Sequence, residues 1–165
     1  MSEIINNTKA TTIIEHITYH LTGNSSSTYI FTDNELKGEY DINVIPTKKH
    51  LYDHIILDSD VEKKFAEELE NKPEIVVYVK LPRGFYISTP VGKYNPDWAI
   101  VFRENYVKHI YFVAETKGSM STLQLRESER SKIECAKKHF EIISKNQVKY
   151  DQVNDYKTLL EKVMK

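Results

Sequence analysis

Apolar positions fall first into a helical rhythm, then into strands, then back into helices. In "ATTIIEHITYHLT", residues 10–22, Ile13, Ile14, Ile17 and Leu21 share one helical face, and "GNSSST" breaks the pattern. From Thr28 to Leu57 the chain is rich in Tyr, Ile and Val between turn residues, which predicts short strands or extended connections. "DSDVEKKFAEELEN" predicts a helix capped by Ser59, with Glu62 three residues on as its capping-box partner. Val61, Phe65 and Leu69 form its apolar stripe, and Lys72-Pro73 ends it. "EIVVYVKL" reads as a buried strand, "PRG" as a turn and "FYIS" as another extended piece. "WAIVF" and "HIYFVAE" flank the polar "RENYVK" as two arms of a hairpin. "SERSKIECAKKHFEII" predicts a helix with Ser128 at its N-cap and Ile133, Ala136, Phe140 and Ile143 along one face. "QVKY" follows as a short strand, and "DYKTLLEKVM" as a helix started by Asp155.

From residue 59 the order is helix, strands, hairpin, helix, strand, helix, which is that of an α/β or α+β domain. With 165 residues the chain suits one globular domain: a core over 59–165, and an N-terminal extension over 1–58 packed on it or leading into it. An apolar fraction of 40% and a charged fraction of 28% are those of an ordinary soluble protein. The formal net charge of −1 gives no global sign of a polyanion partner, but the charge is uneven. From Val76 to Phe140 there are 11 Lys and Arg against 6 Asp and Glu, while the remainder holds 12 against 18.

The single cysteine, Cys135, leaves no partner for an intrachain disulfide and fits a reducing compartment; it reads as a small packing residue. The start, "MSEIINNTKA", lacks a basic segment followed by an apolar run, and no apolar run approaches the roughly 18 residues of a membrane span. A soluble, cytoplasmic chain with no membrane partner is the expectation. His16, His20, His50 and His54 stand at helical or near-helical spacing, but without a third zinc ligand they read as ordinary polar or partly buried histidines.

The hairpin carries the chemistry. Opposed residues of an antiparallel pair have a constant sum of positions, and with the turn centred near Tyr106, Asp97 and Glu115 become cross-strand neighbours. Glu115 and Lys117 then share a face, and Thr116 points to the other. Two opposed carboxylates repel unless a cation neutralises them, and magnesium, held by one or two carboxylates plus waters and phosphate oxygens, suits the arrangement. Lys117 beside the ion would position a water or offset developing negative charge, which serves metal-assisted phosphodiester hydrolysis. The plain alternative is that Asp97 caps a strand while Glu115 and Lys117 form a surface pair.

"LPRGFYISTPVGKYNPDWAIVF", "IYFVAETKGS" and "LRESERSKIECAKKHF" together resemble the C-terminal nuclease domain of the restriction subunit of type III restriction-modification enzymes, a branch of the PD-(D/E)xK nuclease superfamily. The resemblance covers roughly residues 59–143. It implies a restriction-endonuclease-like core, αβββαβ, with a central mixed sheet flanked by helices. It implies Asp97 and Glu115 as metal ligands, Lys117 as the catalytic lysine, and the Thr116 carbonyl as a further ligand to magnesium, with manganese as a substitute. Glu62 stands where superfamily members often supply another acid from the first core helix, beside its capping role. Lys93, Arg126, Arg130, Lys132, Lys137 and Lys138 are the cations it offers to the phosphates of double-stranded DNA. Trp98 and Cys135 read as packing residues, and Glu67 and Glu68 as solvated helix charges.

Type III restriction subunits also carry a helicase motor and work with a modification methyltransferase subunit. The sequence has no G-x-x-x-x-G-K-[ST] loop and so no recognisable ATP site. The expected function is a metal-dependent DNA endonuclease domain without that motor. The alternative is a non-catalytic DNA-binding or docking module that is inactive without the motor and modification subunits.

Overall fold

The computed structural model describes Tyr19 and residues 44–90, 92–107, 111–116, 127–145 and 147–164. The helix expected over 10–22 lies outside these residues, as do His16 and His20.

A small hairpin comes first, β1 (Val44–Pro46) paired antiparallel with β2 (His54–Ile56). Helix α1 (Asp60–Asn71) follows, and Ser59 caps it by accepting from the Glu62 N–H at 3.3 Å. The Glu62 carboxylate reaches back to the Asp58 N–H at 2.7 Å, so the predicted capping box forms. The buried stripe is Phe65, Ala66 and Leu69, with Val61 half-buried at its margin.

Four strands form the main sheet in the order β3 (Ile75–Lys80), β6 (Trp98–Phe102), β7 (Tyr111–Thr116) and β8 (Val148–Val153). The first three make an antiparallel meander, and β8 joins parallel to β7 after helix α2 (Glu127–Ile143). A parallel neighbour needs a crossover, and α2 supplies it. Between β3 and β6 a second hairpin, β4 (Ile87–Thr89) with β5 (Gly92–Tyr94), projects on its own. Sequence periodicity anticipated β4 as an extended piece but not β5, because "GKY" is too short to show alternation. Helix α3 (Tyr156–Met164) ends the fold, with the Asp155 carboxylate accepting from the Thr158 N–H at 2.7 Å. Helix α2 starts a residue before the predicted cap, so Ser128 falls within its first turn.

The sheet buries both faces. On one, Trp98, Ile100, Phe102, Phe112 and Ala114 meet Phe65 and Leu69 of α1 and Leu159 and Val163 of α3. Ile55 and Leu57 join the same core, so the β1–β2 hairpin is packed against it. On the other face, Val113 and Tyr150 meet Ile133 and Ala136 of α2 together with Ile87 and Tyr94 of the second hairpin. Trp98 is fully buried against Phe65 and Tyr78, and Cys135 is buried beside its α2 neighbours. A bulge between Ile75 and Val77 turns Val76 outward on β3. None of the described helices is long and apolar enough to cross a membrane.

Candidate active site

The β6–β7 register is the one the sequence predicts. Trp98 faces Ala114, Ala99 faces Val113 and Ile100 faces Phe112. Continued by one residue beyond the Trp98–Ala114 pair, the same ladder sets Asp97 opposite Glu115. The acids are thereby neighbours where β6 begins and β7 ends, with Cβ atoms about 5 Å apart by the geometry of such pairs.

Each carboxylate is anchored by groups that spacing alone did not reveal. Asp97 Oδ2 accepts from both the Thr116 N–H and the Thr116 hydroxyl, each at 2.7 Å. The indole of Trp98 in turn donates to the Thr116 oxygen at 3.2 Å, so the buried tryptophan steadies the acid that precedes it. Glu115 is 5% exposed. Its Oε2 accepts from the Tyr94 hydroxyl at 2.6 Å, and Tyr94 lies 2.5 Å from the Tyr150 hydroxyl. Since the one Tyr94 proton is committed to Glu115, Tyr150 donates to Tyr94. Burial first, then Tyr150 and the Glu115 carboxylate, hold the Tyr94 phenol protonated well above its ordinary range. Burial does the same for Tyr150.

Lys117 and Arg126 lie outside the described residues. Glu62 is drawn into a different cluster. Its Oε2 accepts from the Asp58 N–H and pairs with Lys80 Nζ at 2.9 Å, and Lys80 also reaches Asp58 at 2.7 Å. Lys80 is the register partner of Trp98, so this cluster lies at the same end of the sheet as Asp97. Glu68, read from sequence as a solvated charge, also accepts from the Tyr156 N–H at 3.0 Å and so caps α3. Glu67 is exposed.

The basic candidates divide. Lys93 is exposed on β5, its ammonium 3.9 Å over the exposed ring of Tyr86. Arg130 is exposed and Lys132 half-buried on α2. Lys137 pairs with Asp151 at 3.4 Å, a carboxylate that Lys162 also holds at 2.6 Å, while Lys138 has partners of its own.

As to a metal, the donors on the two adjacent strands are oxygens, those of the Asp97 and Glu115 carboxylates. No group of three or more His, Cys, Asp or Glu in metal-holding range occurs among the described residues. A pair of carboxylates short of a full cage is how magnesium is usually held, the remaining positions going to water and phosphate oxygens. The donor set fits a hard divalent cation.

An antiparallel meander extended by a parallel fourth strand, with helices on both faces, is a restriction-endonuclease-like fold, and this mixed α+β architecture is the one read from the sequence. Comparison with known proteins gives the class: residues 48–156 match the endonuclease-domain family, and the chain belongs to it. It is similar to the EcoPI Res subunit of Escherichia phage P1 and to the EcoP15I Res subunit of Escherichia coli, both type III restriction-modification enzymes. Identity is 32% to each over 104 residues, which covers 61% of this chain and 10% of either relative. The chain thus spans about a tenth of the length of the curated relatives it matches. No solved structure gives a significant match.

Proposed function

We propose that this endonuclease domain cuts double-stranded DNA in a magnesium-dependent reaction, with manganese as a substitute. The observation that carries the reading is the register that sets Asp97 opposite Glu115, each held in place by its own hydrogen-bond chain. Asp97, Glu115 and the Thr116 carbonyl would hold a divalent cation there, which would supply polarisation of a phosphoryl oxygen and a lowered pKa for an adjacent water. Lys117, two residues after Glu115 in sequence, orients the attacking water or offsets charge on the phosphate.

Lys93, Arg126, Arg130, Lys132 and Lys138 steer the phosphate backbone; Lys137 contributes less because Asp151 already engages it. Glu62 belongs to the fold in this reading, as the cap of α1 and the partner of Lys80. The similarity to Res subunits suggests a helicase motor and a modification methyltransferase as working partners.

Plasmid nicking in magnesium tests the assignment, with Asp97→Ala and Lys117→Ala beside wild type and circular dichroism to establish folding. Folded variants without nicking activity are expected. Retained cleavage in either one would sink the residue assignment. Salt-sensitive DNA binding without strand cutting, in both magnesium and manganese, would favour a non-catalytic binding or docking module.

A further inference from the structure

At the level of the two acids, a third polar residue continues the row. Asp97, one residue before β6, falls opposite Glu115 when the β6–β7 ladder is continued by one step, and Glu115 is the register partner of Gln152 on β8. Adjacent strands lie about 4.8 Å apart, and register partners put their side chains on one face. Carboxylate, carboxylate and amide therefore stand side by side across three strands, where β7 and β8 reach their carboxyl ends.

Tyr150, two residues before Gln152, shares that face and is tied through Tyr94 to Glu115. Gln152 has no such tie. Its Nε2 is buried and makes no hydrogen bond among the described residues, a state otherwise seen there only for His139 Nδ1. His139 packs its ring edge-to-face on Tyr19 and Phe140. A buried N–H donor with no acceptor is a cost to the fold. A leucine of similar size would avoid that cost.

An amide nitrogen carries only donors, so the group it lacks is an acceptor. Beside a cation held by Asp97 and Glu115, the acceptor such a site brings in is an anionic phosphate oxygen, which binds an N–H more strongly than a neutral one does. We propose that Gln152 is a further catalytic residue of this domain, donating from Nε2 to a non-bridging oxygen of the phosphate being cut. The proposal rests on the metal-dependent nuclease reading above. The donor's value lies in the transition state, where that oxygen carries more charge than in the ground state.

Gln152→Leu separates this role from a structural one through three readouts. The metal-free variant should melt a few degrees above wild type, because an unpaired donor has been replaced by apolar volume. Its magnesium affinity by calorimetry should stay within about twofold of wild type, since Asp97 and Glu115 are untouched. Its nicking rate at saturating magnesium should fall roughly 100-fold, the usual effect of losing one such donor.

A higher melting point with an unchanged nicking rate would overturn the inference and leave Gln152 as the seat of a buried water, with the metal-site reading intact. A large loss of magnesium affinity would also overturn it, by making Gln152 part of the metal's own support. A wild type that neither binds magnesium nor nicks DNA would remove the nuclease reading and this inference together.

Discussion

Asp97 and Glu115 face each other at a separation where two unpaired charges would destabilise the hairpin, and each is met by donors aimed at it. Thr116 gives Asp97 two, and Tyr94 gives Glu115 one. Such donors fix the orientation of a carboxylate, as a bound cation would require. Tyr94→Phe should therefore cost roughly 1–2 kcal/mol in denaturant unfolding, because the hydrogen bond it removes is to an ionised group. It should also weaken magnesium binding about 10-fold, as loss of a partner to a ligating carboxylate commonly does. Denaturant unfolding and calorimetric titration, each with wild type alongside, check the two, and unchanged affinity would reduce Tyr94 to a packing role. The acids were legible in sequence because a hairpin's register follows from the positions of its arms. Tyr94, Tyr150 and Gln152 were not. Tyr94 and Tyr150 are 56 positions apart and meet only because α2 brings β8 alongside β7. Asn95-Pro96 also breaks the alternation that would have linked Tyr94 to β6.

At helix α1 and strand β3, a residue read from sequence both as a cap and as a further acid of the site is engaged by its own element. Glu62 closes the capping box and takes the Lys80 ammonium, with its side chain mostly shielded from solvent. Ser59→Ala should cost about 1 kcal/mol through the lost N-cap. Glu62→Gln retains a capping oxygen, so thermal melting should drop only slightly and magnesium affinity should hold. A 10-fold loss of affinity in that variant would return Glu62 to the metal site. The helices and the meander were readable because caps, a 3.6-residue stripe and a turn-bounded apolar run all recur locally. The β4–β5 hairpin was only half readable. Its strands are three residues each and β5 opens on Gly92 at φ 112°, a conformation suited to glycine that leaves no periodic trace. The mixed sheet that β8 completes was implied by the resemblance alone, since the four-residue "QVKY" does not by itself specify a neighbour.

Across the whole molecule, the segment between β1 and β2 is latched to the sheet through His50, which is 9% exposed. Its Nε2 accepts from the Lys80 N–H at 3.1 Å, which requires a neutral ring, and Nδ1 then donates to the Tyr52 carbonyl. Burial, only partly offset by the Tyr52 carbonyl and Glu70, lowers its pKa from 6.5 to about 4. Between those values the unfolded chain binds a proton that the native chain does not, so stability falls as pH drops through this window. Urea unfolding should show a loss of about 2–3 kcal/mol between pH 7 and pH 4.5 from this group. His50→Gln should flatten that part of the profile; an unchanged slope would place the acid sensitivity elsewhere. DNA binding belongs to the same scale. With on the order of four phosphate contacts, the logarithm of affinity should fall with that of salt at a slope near −3.6.

The central question is whether the opposed acids hold a cation. Calorimetric titration of magnesium, then manganese, into wild type and Asp97→Ala measures this without requiring any turnover. Saturable binding of both ions by wild type, lost in a folded Asp97→Ala variant, is the expected result. Heat traces that show no binding to wild type, or equal binding by the two proteins, would contradict the metal site at β6 and β7.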